Sequence, residues 1–118
     1  MPEESSKRKL YDAQIGYLVA RDVEGLIDNQ YTDDATLVSF DNQIKGNAAL
    51  KEYFKGYLEM LGNLEVVSTD KFVETDDSLF FEATVNTNLG QAKVFDAWVL
   101  RDGKISHHFT GVYPPAGS

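Results

Sequence analysis

The spacing of the apolar residues changes once along the chain, near Gly62, and this change constrains the fold more than any other feature. Before it, apolar residues mostly recur every three or four positions, a period typical of helices with one buried face. From Leu64 onward they alternate with a period of two, which is typical of strands. Helices followed by a meander of long strands predict an α+β domain, with the helices packed on one face of an antiparallel sheet.

Three helices are predicted in the first half of the chain. Ser5 or Ser6 can cap the first helix and Asp22 a short second one, because their side-chain oxygens accept bonds from unpaired backbone N–H groups. Asn47 can cap the third helix, and Gly62 is placed to end it. The three apolar stripes contain Tyr11, Ile15, Leu18 and Val19; Val23, Leu26, Ile27 and Tyr31; and Leu50, Phe54, Tyr57, Leu58 and Leu61.

The predicted strands span residues 35–40, 64–73, 78–87, 91–100 and 104–113. Asp41-Asn42 is a turn pair after the first strand. Asp102-Gly103 folds the last two strands into a hairpin, because both residues tolerate positive φ. Pro114-Pro115 ends the sheet, since proline cannot donate to a ladder.

The last two predicted strands place polar side chains on an otherwise apolar surface. Alternation puts Val94, Asp96, Trp98 and Leu100 on one face of the first strand. In the second it puts Ser106, His108, Thr110 and Val112 on one face, and Ile105, His107 and Phe109 on the other. A carboxylate, an indole and an imidazole on neighbouring strands suggest the floor of a pocket.

Composition limits the possible partners. The 118 residues suffice for a single domain, in which residues 1–4 and 114–118 are expected to be tails. A net charge of −8, with one short basic cluster, disfavours nucleic acid and anionic membrane surfaces. The lack of cysteine excludes disulfides and thiolate metal sites, and no apolar run reaches the ~20 residues that span a bilayer. With no secretory signal either, we expect a cytoplasmic protein.

Several strands are apolar on both faces. The strand at 78–87 has Leu79, Phe81, Ala83 and Val85 on one side and Phe80 on the other. An antiparallel sheet with helices on only one face should be polar on the other. We therefore expect a homodimer, in which a second copy covers the open sheet face.

Asp96 and His108 are the candidate catalytic residues. Apolar neighbours disfavour the carboxylate anion of Asp96, so this group could hold or exchange a proton near neutral pH. His108 could complete a dyad with it across the strand pair, whereas His107 points to the opposite face. The alternative is that the two groups only satisfy each other's hydrogen bonds. Two histidines on opposite faces do not form a metal site, so no metal is expected. Without a glycine-rich phosphate loop, no cofactor is expected either.

Further residues are candidates for ligand binding. Amphipathic rings with a few convergent polar tips are typical of small-molecule sites. The predicted cavity residues are Tyr17, Tyr31, Ser39, Tyr57, Trp98 and Thr110. The alternative for the aromatic side chains is simple core packing.

Three local sequences resemble one known family. They are Gln30-Tyr31-Thr32-Asp33-Asp34-Ala35 running into Leu37-Val38-Ser39-Phe40, Ile44-Lys45-Gly46 before Ala49-Leu50-Lys51-Glu52-Tyr53-Phe54, and the stretch from Phe95 to Ile105. Together with the element order, they resemble the SnoaL-like branch of the nuclear-transport-factor-two-like superfamily over residues 10–113. This resemblance implies a cone-shaped curved antiparallel sheet wrapped around three N-terminal helices, a cystatin-like or SnoaL-like α+β barrel with a ligand cavity at its open end.

The chemistries of that superfamily match this chain only in part. Asp96 occupies the place of the protonated acid of ketosteroid isomerases, but Ser39 stands at or near the place of their aspartate base. Thr110 stands where SnoaL-like cyclases and limonene-epoxide hydrolases have an acid. The resemblance therefore implies a pocket without implying an intact known active site.

Two functions stay open on the sequence. One is a cofactor-independent isomerase, cyclase or lyase that acts on a small apolar or amphipathic molecule through Asp96 and His108. The other is a non-catalytic ligand-binding or dimerisation module.

Overall fold

The computed structural model describes residues 5–39 and 42–113. The expected tails at 1–4 and 114–118, with the Pro114-Pro115 strand end, lie outside the described residues. So do Phe40, the predicted end of the first strand, and Asp41 of the predicted turn.

Three helices precede or interrupt the sheet: α1 (Ser6–Ala20), α2 (Val23–Gln30) and α3 (Asn47–Leu61). The two predicted caps are confirmed, because Ser5 Oγ accepts from Arg8 N and Asp22 Oδ1 accepts from Gly25 N, each at 3.0 Å. The predicted Asn47 cap is wrong: Asn47 is the first helical residue, and Gly46 precedes it without a side-chain cap. None of these helices is long and apolar enough to cross a membrane.

Six strands form one sheet: β1 (Tyr31–Ser39), β2 (Asn42–Lys45), β3 (Leu64–Glu74), β4 (Ser78–Thr87), β5 (Gly90–Arg101) and β6 (Lys104–Val112). Their order is β2-β1-β6-β5-β4-β3. The α+β class is confirmed, with two differences in the sheet. β1 pairs with β6 in parallel, so the sheet is mixed, and β2 is an additional short edge strand that contains the predicted turn residue Asn42.

The core lies between the helices and one face of the curved sheet. Its fully buried members include Leu26 and Ile27 of α2, Leu50 of α3 and Trp98 of β5. Tyr31 belongs to this core as well, but as the first residue of β1 rather than in the predicted helical stripe.

The predicted stripe of α1 is wrong at Val19 and lacks the buried Gln14. Val19 is 54% exposed, whereas the polar Gln14 is only 5% exposed. Tyr11 and Gln14 are one turn apart, so the face of α1 that meets the sheet is rotated away from Val19.

A bulge in β6 corrects the predicted faces of the last hairpin. Val99 pairs with His107 and Leu100 pairs with Ile105, so Ser106 is an extra residue between them. The bulge moves Ile105 onto the core face, where it is fully buried, whereas His107 and Phe109 stay on the opposite face. The prediction that Ile105 shares their face is therefore wrong.

A substitution at Gly62, the residue that ends α3, tests this architecture. Gly62 has φ 69° and ψ −109°, and a Cβ added there would overlap the Asn88 side chain. We expect Gly62→Ala to lower the free energy of unfolding by about 1–3 kcal/mol, because both the backbone and the contact oppose it. Equilibrium unfolding in urea measures this loss.

Gly16→Ala is the matched control, because Gly16 lies in the exposed middle of α1 and a Cβ there meets no atom within 4 Å. Its expected effect is a gain of about 0.5–1 kcal/mol. Equal effects of the two substitutions would contradict the strained end of α3.

Candidate functional site

A cavity of about 560 Å³ lies between α1, α3 and the concave face of the sheet. Its wall is largely apolar, with Leu18 from α1, Phe54 from α3 and Phe81 from β4. The polar side chains in the wall are Tyr11, Gln14, Ser39, Asn42, Glu52, Tyr53, Tyr57, Asp96, His108 and Thr110.

The strand register gathers three of these polar side chains into one row. Ser39 of β1 is opposite Thr110 of β6, and Thr110 is opposite Asp96 of β5. His108 lies two residues from Thr110 on the same strand and is opposite Leu37 and Trp98 in the neighbouring row. The parallel β1–β6 pair is thus what brings Ser39 beside the β5–β6 hairpin.

A chain of buried hydrogen bonds runs from helix α1 to strand β5. Gln14 Nε2 donates to Tyr31 Oη at 3.4 Å, and Tyr31 Oη lies 2.8 Å from His108 Nδ1. His108 Nε2 lies 2.7 Å from Asp96 Oδ1. All four side chains are buried, the most accessible being Asp96 at 7%.

The donors in this chain point toward Asp96. A carboxylate oxygen accepts, so His108 Nε2 carries a proton and donates to Asp96 Oδ1. With that single proton on the ring, Nδ1 accepts from the Tyr31 hydroxyl, whose oxygen also accepts from the Gln14 amide. Both ring nitrogens of His108 are therefore occupied by protein groups.

Asp96 keeps one oxygen free. Oδ1 accepts from His108, whereas Oδ2 has no partner among the described residues and is open to the cavity. A carboxylate held at one oxygen and open at the other is oriented to accept a proton or a hydrogen bond from a molecule in the cavity.

The tyrosines in and behind the cavity stay protonated at neutral pH. Burial raises the pKa of Tyr57 to about 12. Burial also raises the pKa of Tyr31, despite the opposing hydrogen bond from Gln14. Tyr57 Oη has no partner in the described part of the chain, so its hydroxyl is available to a molecule in the cavity.

Five of the residues predicted for the site line the cavity: Ser39, Tyr57, Asp96, His108 and Thr110. Three do not. Tyr31 lies behind His108 and is 1% exposed, and Trp98 packs edge-on against the same imidazole with ring centroids 5.7 Å apart. Tyr17 lies at the α1–α2 contact, where its hydroxyl accepts from Asn29 at 3.0 Å.

Sequence reasoning missed five polar residues of the wall, namely Tyr11, Gln14, Asn42, Glu52 and Tyr53. Gln14 carried a signal, since it lies three residues after Tyr11 and so shares its helix face. Tyr53 and Tyr57 are one turn apart on α3, and their rings stack with centroids 6.1 Å apart. Their spacing on the helix could have predicted this pair.

The comparisons with known proteins agree on the fold. The family model described as SnoaL-like domain matches residues 8–108. No curated protein matches the chain significantly in sequence.

Solved structures share this architecture at low sequence identity. An NTF-2 like protein of unknown function from Burkholderia xenovorans LB400 has a TM-score of 0.80 and 17% identity, over 96% of this chain and 87% of that one. A candidate polyketide cyclase from Sinorhizobium meliloti has a TM-score of 0.76 and 12% identity, over 91% of this chain and 99% of that one. TerC co-crystallised with polyporic acid has a TM-score of 0.75 and 20% identity, over 90% of each chain.

The hydrogen-bond chain makes a prediction about Tyr31. We expect Tyr31→Phe to lower the free energy of unfolding by about 1–3 kcal/mol, because it leaves His108 Nδ1 and the Gln14 amide buried without their partner. In ¹⁵N NMR spectra of the wild-type protein, His108 should carry its proton on Nε2. Urea unfolding and the ¹⁵N spectra measure the two effects.

Tyr17→Phe is the control, because the Tyr17 hydroxyl bonds to Asn29 near solvent. Its effect should stay within about 0.5 kcal/mol. A proton on Nδ1 of His108 in the wild type would show that the donors run in the opposite direction.

Proposed function

The chain belongs to the SnoaL-like domain family, and we propose that it binds a small, mainly apolar molecule in the cavity beside Asp96 and exchanges a proton with it. The observation that carries this proposal is the state of the Asp96 carboxylate. One oxygen is held by His108 at 2.7 Å and the other is open to the cavity.

The proposed chemistry is that of a cofactor-independent isomerase, cyclase or lyase. Asp96 Oδ2 takes a proton from a carbon or oxygen acid in the cavity and returns it to another position. His108 acts on Asp96 rather than on the molecule, because Nε2 holds Oδ1 and Nδ1 accepts from Tyr31. This differs from the expectation that Asp96 and His108 both act on the molecule.

Other polar groups of the wall would orient the bound molecule. Thr110 and Ser39 lie in the same cross-strand row as Asp96. The Tyr57 hydroxyl lies on α3, across the cavity from the sheet. Two structures that share this fold, the candidate polyketide cyclase and TerC with polyporic acid, favour ring compounds as the class of ligand.

The alternative is a non-catalytic binding module. One observation favours it: Gln14, Tyr31, His108 and Asp96 satisfy one another in a buried chain. In this alternative the cavity holds a ligand, and Asp96 serves only as a hydrogen-bond acceptor.

The ring opening of 5-nitrobenzisoxazole tests Asp96 as a base. In this reaction a base removes the proton from ring carbon 3, the N–O bond breaks and 2-cyano-4-nitrophenolate forms, which is followed by absorbance. The substrate is neutral and flat, and needs only a carboxylate in an apolar site. We expect Asp96→Asn to lower the rate per protein at least roughly tenfold, because the amide cannot take the proton.

Asp102→Asn is the matched control, since Asp102 lies in the exposed β5–β6 turn and the charge change is the same. Its rate should equal that of the wild type. Equal rates for Asp96→Asn and the wild type would contradict catalysis by Asp96. If 2-naphthalenemethanol still binds in that case, the non-catalytic alternative holds.

We also propose that the chain acts as a single domain, and that it forms a homodimer through the open sheet face. One apolar row crosses five strands on that face: Val38, Phe109, Ala97, Phe80 and Val73 are cross-strand neighbours. Phe109 is 43% and Val73 55% exposed. In the dimer, the row of one copy would pack against the same row of the second copy.

The cysteine-free composition fits our expectation of a cytoplasmic protein.

Phe109→Asp tests the dimer. A charge in the centre of the row should convert a dimer into a monomer, because a second copy would have to bury it unpaired. Light scattering after gel filtration measures the mass. Val19→Asp on the exposed side of α1 is the control and should leave the mass unchanged. A monomeric wild-type protein would overturn the proposal.

A further inference from the structure

The cavity wall contains two carboxylates and no lysine or arginine of the described residues. Asp96 lies inside the cavity, where it bonds to His108, and Glu52 lies at its edge. The lysines of α3 near this edge are engaged elsewhere: Lys51 pairs with Glu24 at 2.8 Å and Lys55 with the same carboxylate at 3.3 Å.

The wall offers a ligand carboxylate oxygens as acceptors. Asp96 Oδ2 is open to the cavity, and the Glu52 carboxylate lies at the exposed edge. His108 adds no free N–H, because its Nε2 bonds to Asp96. A ligand can satisfy these acceptors only with a donor group.

An anionic head group would meet two penalties here. It would lose its hydration in a largely apolar space, where its donors would be neutral groups such as the Thr110 and Tyr57 hydroxyls and the Asn42 amide, with no lysine or arginine of the described residues in the wall. It would also lie beside the Asp96 carboxylate, whose like charge repels it.

A cationic head group would meet the opposite conditions. Asp96 attracts it, and the aromatic rings of Tyr53, Tyr57 and Phe54 on α3 line the same wall. Aromatic rings beside a carboxylate stabilise ammonium groups through cation–π and charge interactions.

We propose that the cavity selects its ligand by charge: it prefers an amphipathic molecule with an ammonium head, accepts the neutral hydroxyl analogue less tightly, and rejects the carboxylate analogue. The head group lies at Asp96 and the apolar body against α3 and Phe81. This inference rests on the proposed function, because it assumes that the cavity binds a small molecule, and it adds the chemical class of that molecule.

Three probes with one ring system test the selectivity. 2-Naphthylmethylamine, 2-naphthalenemethanol and 2-naphthoate carry an ammonium, a hydroxyl and a carboxylate on the same naphthalene. Titration calorimetry at pH 7 and 0.15 M salt gives a Kd for each, with screening of the overall negative charge. We expect the amine to bind at least about tenfold more tightly than the naphthoate, with the alcohol between them.

Two acid-to-amide variants assign the selectivity to the cavity. Asp96→Asn should bring the Kd values of amine and alcohol within about twofold of each other, because the amide keeps an acceptor and loses the charge. Asp102→Asn has the same net charge and should keep the wild-type order. Should Asp96→Asn fail to fold, Glu52→Gln at the exposed edge of the cavity replaces it, with a smaller loss of amine preference expected.

The outcomes separate this inference from the proposed function. Binding of naphthoate as tight as that of the amine overturns the charge selectivity and leaves a ligand-binding cavity intact. Binding of none of the three probes overturns the proposed function, and the selectivity with it. Equal loss of amine preference in Asp96→Asn and Asp102→Asn overturns the assignment to Asp96, since it would reflect overall charge alone.

Discussion

The interaction on which the site depends is the 2.8 Å and 2.7 Å pair of hydrogen bonds that ties Tyr31, His108 and Asp96 together inside the fold. A carboxylate that is 7% exposed needs a partner, and His108 supplies it. The same imidazole needs a donor at its second nitrogen, which Tyr31 supplies from the α2–β1 junction. The buried charge therefore links the helical layer to the sheet and leaves one oxygen for chemistry.

The sheet topology makes this chain of hydrogen bonds possible. The parallel β1–β6 pair brings Tyr31 and Ser39 to the side of β6, and the antiparallel β5–β6 hairpin places Asp96 opposite Thr110. The bulge at Ser106 turns Ile105 into the core while His108 keeps facing the helices. The polar row of Ser39, Thr110 and Asp96, the apolar core and the cavity wall thus lie on the same concave face of the sheet, under α1 and α3.

The fold by itself does not decide the activity, because one fold can carry many functions. The Burkholderia, Sinorhizobium and TerC structures share the fold with this chain at 20% sequence identity or less. What distinguishes this chain is the content of its cavity: an acid held by an imidazole, hydroxyls on neighbouring strands, and no described lysine or arginine in the wall. Our proposals on proton exchange and on charge selection both start from that content. They differ in what they require, since selection needs only the charge of Asp96, whereas proton exchange needs its free oxygen at a reacting atom.

The sequence by itself determined the three helices, the five longer strands and the α+β class, and it predicted that Asp96 and His108 meet across the last hairpin. Local signals suffice for these, because capping side chains, turn residues and the periods of near four and two act within a few residues. Only the tertiary structure decided that α1 buries Gln14 and exposes Val19, that Ile105 changes face, and that Trp98 and Tyr31 lie behind the cavity rather than in it. The rotation of a helix, the position of a bulge and the direction of a buried hydrogen-bond chain depend on contacts between residues far apart in the sequence, such as Tyr31 with His108. A periodic pattern carries no information about those contacts until the chain has folded.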